Sequence, residues 1–241
     1  MESTTPGIGQ AFNDGIEGFK KNPIMAIVGT LIFFAIDFVG LVVPFLNILF
    51  AAFVMPPLIG GYMLFFLKFA KGEEPSIDDL FAGFKDYTNY LGAFWLLIFY
   101  VFLYGLAGII LAILGFLVFK AFAVCLIIIG YFAFLVLVMI FVLKWSFVYT
   151  IIADGWNDGG VKPAFDKSVK ITQGRLVELF LVALVIGLFT AAGSIVLGIG
   201  MLVTAPIGAI GFASYYLRLK KLYLEKAGAA TPAPGPLTPS P

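Results

Sequence analysis

Four long windows without a charged residue constrain the fold of this chain more than any other feature. They cover residues 38–67, 87–119, 121–143 and 179–217. An α-helix rises about 1.5 Å per residue, so about 20 apolar residues cross the roughly 30 Å of hydrocarbon in a bilayer. Each window therefore holds at least one membrane crossing. The pattern predicts an all-α, polytopic membrane protein.

Breaks at Pro44, between Gly115 and Lys120, and around Gly198 and Gly200 divide these windows. Proline and glycine interrupt helices, and Lys120 is the charge that separates the middle windows. We predict six transmembrane helices in three hairpins. The predicted spans are 24–43, 46–68, 89–113, 120–146, 176–196 and 200–220.

The composition excludes several classes of function. The chain is 61% hydrophobic and 12% charged, against about half and about a quarter in soluble proteins. It has no histidine, one cysteine and a net charge of +1. Histidine-based catalysis, Cys/His zinc sites and disulfide frameworks are thereby excluded, and so is a basic nucleic-acid face. We expect a protein that is not an enzyme, with no cofactor and no nucleic-acid partner.

The distribution of basic residues predicts the orientation in the membrane. All of them except Lys120 fall in the N-terminal segment, the second and fourth loops, or the C-terminal segment. Cytoplasmic loops carry the excess of lysine and arginine. We therefore predict a multi-pass protein of a bacterial inner membrane with both termini in the cytoplasm.

Similar segments precede the first, third and fifth predicted spans. They are residues 12–21, 77–85 and 161–170. Each predicts a short amphipathic helix at the cytoplasmic headgroup region. In the first, Ile8, Phe12, Ile16 and Phe19 fall at helical spacing; in the second, Ser76 and Asp79 have the spacing of a capping box; in the third, Pro163 suits a first helical turn.

These segments predict an internal repeat, although independent interfacial helices would give a similar pattern. The three units cover about 8–69, 76–146 and 160–224, within a single membrane domain of residues 1–224. Residues 225–241 are rich in proline and small residues, which cannot bury enough apolar surface to become ordered. We predict a disordered C-terminal tail there.

Short motifs along the chain resemble those of a bacterial family of six-helix membrane proteins, whose domain also forms the membrane part of some glycerophosphodiester phosphodiesterases. The matching residues are Phe81-Ala82-Gly83-Phe84, Ala153-Asp154-Gly155 with Ala164, Ser168 and Gly174, and Pro206 with Tyr215-Tyr216. The resemblance implies a six-helix membrane domain. It also implies no phosphodiester chemistry in that domain, since in the fused members the chemistry lies in the soluble part.

Asp37 is the acidic residue placed well inside a predicted span. An ionisable group at membrane depth costs about 3 kcal/mol to insert and is a functional-site hypothesis by default. Lys120 is the basic residue predicted on the same, outer side. An interfacial ion pair between Asp37 and Lys120 is the favoured interpretation, and a proton or cation site is the alternative.

Prolines interrupt two predicted spans at similar depth. Pro56 and Pro57 lie in the second span and Pro206 in the sixth. Interrupted helices at matching places in repeats point to a transporter's binding site. The favoured alternative is a kink that fits curved helices together, because no charge accompanies either interruption.

Other motifs also allow two interpretations. Small residues recur every four positions at Ala183-Gly187-Ala191 and at Ala205-Ala209-Ala213. This spacing predicts close packing of the last hairpin, with a homodimer face as the alternative. The acidic, glycine-rich stretch 153–160 is interpreted as a turn rather than a calcium loop, because it lacks the terminal glutamate of an EF-hand.

Two functions remain open. The first is a non-enzymatic accessory or scaffold protein of a membrane complex, with a membrane-protein partner or a second copy as its partner. The alternative is a transporter or lipid-handling protein for a hydrophobic or lipid-like substrate. Membrane lipids are expected partners in either case, and basic residues at matching places are candidates to bind anionic headgroups: Lys20, Lys21, Lys85 and Lys170.

Overall fold

The computed structural model describes residues 7–42, 46–118, 123–195 and 200–230, and these are helical with short connections. The α-helices are α1 (Ile8–Lys21), α2 (Pro23–Val42), α3 (Leu46–Leu49), α4 (Met55–Lys71), α5 (Ile77–Leu80), α6 (Tyr87–Val118), α7 (Ala123–Trp145), α8 (Val148–Ala153), α9 (Val161–Thr172), α10 (Leu176–Ile195) and α11 (Met201–Ala230). A π-helical turn, Phe50–Val54, joins α3 to α4, and a 3-10 helix, Ala82–Asp86, precedes α6.

Six helical stretches in the described part of the chain are long and apolar enough to cross a membrane, in agreement with the predicted number. They are Pro23–Gly40, Asn47–Lys71, Ile77–Leu111, Ile128–Ala153, Leu176–Ser194 and Met201–Gly228. The second and sixth have the largest share of buried residues, whereas the most apolar parts of the third and fourth have almost none. The helices α4 and α11 therefore form the centre of the bundle, and α6 and α7 lie at its side.

The largest core cluster draws buried side chains from α1, α4 and all the helices from α6 to α11. Phe147 packs its ring against Phe212, Tyr215 and Tyr216, at centroid distances of 4.8, 6.3 and 5.6 Å. Phe147 and both tyrosines are fully buried. Buried aromatic rings contribute large apolar areas, so this cluster fixes the relation between the end of α7 and the middle of α11.

Helix α1 packs across α11 through small residues rather than through a stripe of large ones. Its buried residues are Ala11, Gly15 and Gly18. A Cβ atom at Gly15 would lie 2.3 Å from the carbonyl oxygen of Ile207, so the two backbones are in direct contact. Of the predicted stripe, Phe12 makes an edge-to-face contact with Phe189 at 4.8 Å.

The segment before α6 differs from the regular helix expected there. It consists of the four-residue α5 and the following 3-10 helix, and it lies directly on α4. A Cβ atom at Gly83 would lie 1.9 Å from the carbonyl oxygen of Pro57, and one at Gly61 would lie 1.9 Å from that of Leu80. This backbone contact is incompatible with a helix carrying side chains on that face. The backbone N–H of Ser76 donates to the Asp79 carboxylate at 2.8 Å, as the capping-box spacing predicts.

Two of the apolar helices are interrupted within their length. Pro56 and Pro57 lack the N–H groups that would continue an α-helical ladder, and the preceding turn closes as a π-helix in which the N–H of Met55 donates to the carbonyl of Phe50. The second break separates α7 from α8 at Ser146 and Phe147. Pro206 lies within α11 without ending it.

The contact between α10 and α11 is extensive, as expected, but it uses a different face of α10. Gly208 approaches Ile186 and Thr190, and the hydroxyl of Thr204 donates to the carbonyl of Thr190 at 3.3 Å. A Cβ atom added at Gly187 would meet no other atom within 4 Å. The regular four-residue spacing of small residues on α10 therefore does not mark the helix interface.

Helix α11 continues to Ala230, beyond the predicted end of the membrane domain at residue 224. Residues 225–230 are mostly alanine, glutamate and lysine, which favour helix. The carboxylate of Glu225 also lies 4.0 Å from the ammonium of Lys221, one turn earlier. Residues 231–241 lie outside the described ranges, and the disordered tail stays a prediction for them.

Candidate functional site

The most densely paired group in the described chain is the carboxylate of Asp154, which follows the last residue of α8. It accepts hydrogen bonds from the ammonium groups of Lys71 and Lys220, both at 2.6 Å, and from the hydroxyl of Tyr216 at 2.9 Å. Its side chain is 3% exposed. We call these four residues the Asp154 cluster. It ties together the ends of α4 and α8 and the middle of α11, and we call the end of the bundle where it lies the charged end.

The ionisation of Asp154 is set by two opposing effects. Burial of the carboxylate raises its pKa, because the charged form loses hydration. The hydrogen bonds and charges of Lys220 and Lys71 act in the opposite direction and outweigh burial, so the pKa of Asp154 lies below its usual range. The cluster therefore holds an ionised carboxylate between two ammonium groups, with a net positive charge.

The loop after Asp154 is a turn, as the sequence indicates, and it carries further cations. Gly155 and Gly159 adopt positive φ angles of 66° and 73°, which glycine tolerates without strain. The ammonium of Lys167 donates to the carbonyl of Trp156 at 2.9 Å and to Asp158 at 2.7 Å. The ammonium groups of Lys167 and Lys220 both lie 4.9 Å from the centre of the Trp156 ring, at cation–π distance.

The acidic groups of this loop are neutralised by lysines rather than gathered for a cation. In the described ranges no three histidine, cysteine or acidic side chains are grouped as metal ligands. Ser168 is likewise a packing residue: it is fully buried, and its hydroxyl donates to the carbonyl of Lys144 at 2.7 Å. This bond joins α9 to the end of α7.

Two further ion pairs join separate helices at the charged end. Lys68 donates to Asp79 at 2.8 Å, which connects α4 to α5. Arg218 of α11 donates to Asp14 and to the amide oxygen of Gln10, both on α1. Burial raises the pKa of Asp14 in spite of the opposing effect of Arg218. Helix α5 and helix α1 therefore each form one ion pair with the helix on which they pack, α4 and α11 respectively.

A cavity of about 270 Å³ lies beside the second of these pairs, between α1, α4 and α11. We call it the α1–α11 cavity. Its lining combines charges of both signs with apolar side chains. The residues that line it are Asp14, Glu17, Gly18, Lys21, Phe69, Ala70, Ser214, Leu217 and Arg218.

The structure does not bring the predicted intramembrane pair together within the described residues. Asp37 is exposed on α2 and has no ion pair in the ranges that the structure describes. Lys120 lies outside those ranges. The pairing of Asp37 with Lys120 therefore stays a prediction.

The predicted proline sites are buried in helix contacts. Pro56 and Pro57 are buried at the start of α4, where the carbonyl of Pro57 meets Gly83. Pro206 is buried in α11, next to the residue whose carbonyl meets Gly15. Both proline sites thus lie where a short segment crosses the helix.

The four candidate headgroup residues are exposed, and none of them has an ion pair in the part of the chain that the structure describes. They are Lys20 and Lys21 at the end of α1, Lys85 before α6 and Lys170 in α9. Of these four, Lys21 lines the α1–α11 cavity. The others belong to the outer surface of the charged end.

Sequence reasoning missed the Asp154 cluster as a site. Lys71 and Lys220 are separated from Asp154 by 83 and 66 positions, so no local pattern connects them. One signal was present: Asp154 and Tyr216 both belong to the short motifs that carried the family resemblance. Motif residues that are polar and far apart are candidates for mutual contact.

In the part of the chain that the structure describes, the fold and the site define an all-helical protein with six apolar helices, whose charged end is held together by ion pairs. The chain belongs to the family described as a domain of unknown function, DUF7847, whose model matches residues 7–241. No curated protein and no solved structure matches the chain.

Proposed function

We propose that this protein is a non-enzymatic integral membrane protein that serves as an accessory or scaffold component of a membrane complex. The observation that carries the proposal is the use of charge at the charged end. The carboxylates of Asp14, Asp79 and Asp154 each bind a basic side chain from another segment. Charges used in this way fix helices to one another, as a scaffold requires, instead of forming a path for an ion.

The side of the bundle formed by α6 and α7 supports a role in binding a partner within the membrane. Helix α6 has 32 residues, and its outer half exposes large apolar side chains, as does the facing part of α7. Phe102 and Ile109 are 69% and 59% exposed. Helices of a partner would pack against this surface through van der Waals contacts.

Contacts between the three predicted units support an arrangement in which each unit packs against the next. Helix α1 packs on α11, the segment before α6 packs on α4, and α9 packs on α7 and α8. We propose that each unit places its short helix on the second long helix of another unit, so that the three form a ring. Gly61 follows Pro56 at the spacing by which Gly211 follows Pro206, and both glycines are contact points of a crossing segment.

We also retain as proposals the bacterial inner membrane, the cytoplasmic location of both termini and the relation to the membrane part of some glycerophosphodiester phosphodiesterases. The basic residues at the charged end support the orientation. The resemblance supports a membrane domain that acts beside a catalytic protein rather than as one.

Purification at native expression level in mild detergent, followed by mass spectrometry, tests the scaffold proposal. A stoichiometric membrane-protein partner is the expected result. Replacing Phe102 and Ile109 by alanine should reduce recovery of that partner. The matched control replaces Phe38 and Leu188, which are 64% and 63% exposed on α2 and α10, and should leave recovery unchanged. A protein recovered without a partner, but with a bound solute, would contradict the proposal.

A transporter or lipid-handling role for a hydrophobic substrate is the second candidate. The α1–α11 cavity and the exposed lysines around it favour this role. It predicts a lipid retained through purification in place of a protein partner.

A further inference from the structure

The α1–α11 cavity differs from the rest of the charged end because two of its charged groups are left for a ligand. Arg218 is bound to Asp14 and Gln10. Glu17 and Lys21 are exposed and form no ion pair in the described ranges. The cavity therefore offers a carboxylate and an ammonium group in addition to one satisfied ion pair.

Neither Glu17 nor Lys21 belongs to the buried face of α1. The buried face of α1 consists of Ala11, Gly15 and Gly18. Glu17 and Lys21 are four residues apart, so their side chains lie on one face of the helix, at about 6 Å between Cβ atoms. This face presents opposite charges side by side at the cavity.

We propose that the α1–α11 cavity binds the zwitterionic headgroup of an ethanolamine phospholipid, with its ammonium group on Glu17 and Asp14 and its phosphate on Lys21 and Arg218. A primary ammonium group donates up to three hydrogen bonds, which carboxylates accept. Lysine and arginine are the side chains that bind phosphate oxygens. A ligand with only one sign of charge would leave either Glu17 or Lys21 without a partner.

The apolar part of the lining fits the same ligand. Phe69 and Ala70 of α4 and Leu217 of α11 form this part, and they offer a surface for the methylene groups that join the headgroup to the glycerol. The cavity lies near the charged ends of two helices that are apolar enough to cross a membrane. Lipid headgroups occupy that level of a bilayer, which favours a lipid over a free zwitterion.

The burial of Asp14 supports a cation in the cavity. Burial raises the pKa of this carboxyl although Arg218 lies beside it. A second cation would therefore relieve part of the cost of keeping Asp14 ionised.

Lipid titrations of the full-length protein in detergent, read by native mass spectrometry, test this inference. The probes are ethanolamine, choline and glycerol phospholipids with identical acyl chains. We expect the ethanolamine lipid to bind about tenfold more tightly than the other two, the factor for one charge-assisted hydrogen bond. Glu17→Gln combined with Lys21→Gln should remove this preference. Glu74→Gln combined with Lys162→Gln, at exposed positions outside the cavity, should retain it.

Three results would overturn the inference. If the glycerol lipid bound as tightly as the ethanolamine lipid, the site would recognise only the negative charge of the phosphate. Equal binding of the choline lipid, whose nitrogen has no hydrogen to donate, would remove the role of the carboxylates. Free phosphoethanolamine that binds as tightly as the lipid would exclude a lipid as the preferred source of the headgroup. Ala70→Leu, which fills the cavity without changing a charge, should weaken binding of the ethanolamine lipid and provides a second, independent variant.

Discussion

At the residue scale, the charged end depends on Asp154 more than on any other polar side chain of the described chain. This buried carboxylate accepts hydrogen bonds from three donors. If it is removed, the attraction that holds its two lysine partners close to each other is lost. Lys71 and Lys220 are 32% and 21% exposed, so water only partly compensates for a lost anion. Removing the carboxylate would leave like charges facing each other.

We therefore expect Asp154→Asn to destabilise the purified protein. The loss should be about 2 kcal/mol, the range for hydrogen bonds to a charged group. Thermal unfolding in detergent measures it as a lower Tm. The matched control is Asp158→Asn in the same loop, where the side chain is 68% exposed, and its Tm should stay close to that of the wild type. An Asp154→Asn variant as stable as the control would show that the cluster is not structural.

The pH dependence of stability provides a second test of Asp154. Its pKa in the folded protein lies below the ordinary value of about 3.9 in the unfolded chain. A carboxyl group whose pKa is lower in the folded protein stabilises the fold at all pH values above its pKa in the unfolded chain. This stabilisation is lost as the pH falls through its pKa in the folded protein. The Tm difference between wild type and Asp154→Asn should thus be constant above about pH 5 and shrink below about pH 4. A difference that grows on acidification would contradict this sign.

The sequence allowed Asp37, the prolines and the exposed lysines to be named, because each is conspicuous within its own segment. It did not allow the partners of Asp154 to be named, because ion pairs between distant segments depend on how the helices cross. The loop around Asp154 was correctly interpreted as a turn from Gly155 and Gly159. Its inward-pointing carboxylate follows from tertiary packing and has no local signature.

At the element scale, the crossing segments are held by backbone contact, which demands glycine at specific places. Gly61 and Gly83 face each other across the contact between α4 and the 3-10 helix, where a Cβ atom would meet a carbonyl oxygen at 1.9 Å in either direction. No rotamer change relieves a clash with backbone atoms. The segment would have to move away from α4.

Replacing Gly61 or Gly83 by alanine should therefore destabilise the protein by about 1 to 3 kcal/mol. Gly105 and Gly130 are matched controls, because they are helical and have nothing within 4 Å of an added Cβ. Alanine at these two positions should leave stability unchanged or raise it by up to about 1 kcal/mol, owing to its higher helix propensity. The Tm values of the four alanine variants test this prediction. Equal Tm values would exclude direct backbone contact between α4 and the segment before α6.

The number and order of the six apolar helices could be predicted because hydropathy depends on local composition. The interruptions were less predictable. Pro56 is a local sequence signal for the π-helical turn before it. The break at Ser146 and Phe147 has no such signal, because it contains neither proline nor glycine. That break follows from the burial of Phe147 against α11, a long-range contact. The interface on α10 was assigned to the wrong face for the same reason.

At the scale of the whole molecule, the proposed orientation places the entire charged end on the cytoplasmic side. This is testable in a Cys125→Ala background with single cysteines in place of individual lysines. Cysteines at Lys85, Lys170 and Lys226 should react with a membrane-impermeant maleimide only after permeabilisation of the cells, because the proposed side is cytoplasmic. A cysteine at Lys120 should react without permeabilisation. Labelling of the first three in intact cells would reverse the proposed orientation.

The length of α6 also has a consequence for the surrounding lipid. Helices α2 and α10 have 20 residues each, about 30 Å, which matches the hydrocarbon thickness of a typical bilayer. Helix α6 has 32 residues, about 48 Å, and apolar side chains are exposed as far as Leu114. A protein with matched and overlong helices on different sides creates a hydrophobic mismatch on one side only. In the proposed membrane location, the bilayer beside α6 must thicken or α6 must tilt. Where the bilayer thickens, we expect the protein to favour membrane regions that are thicker along that one flank.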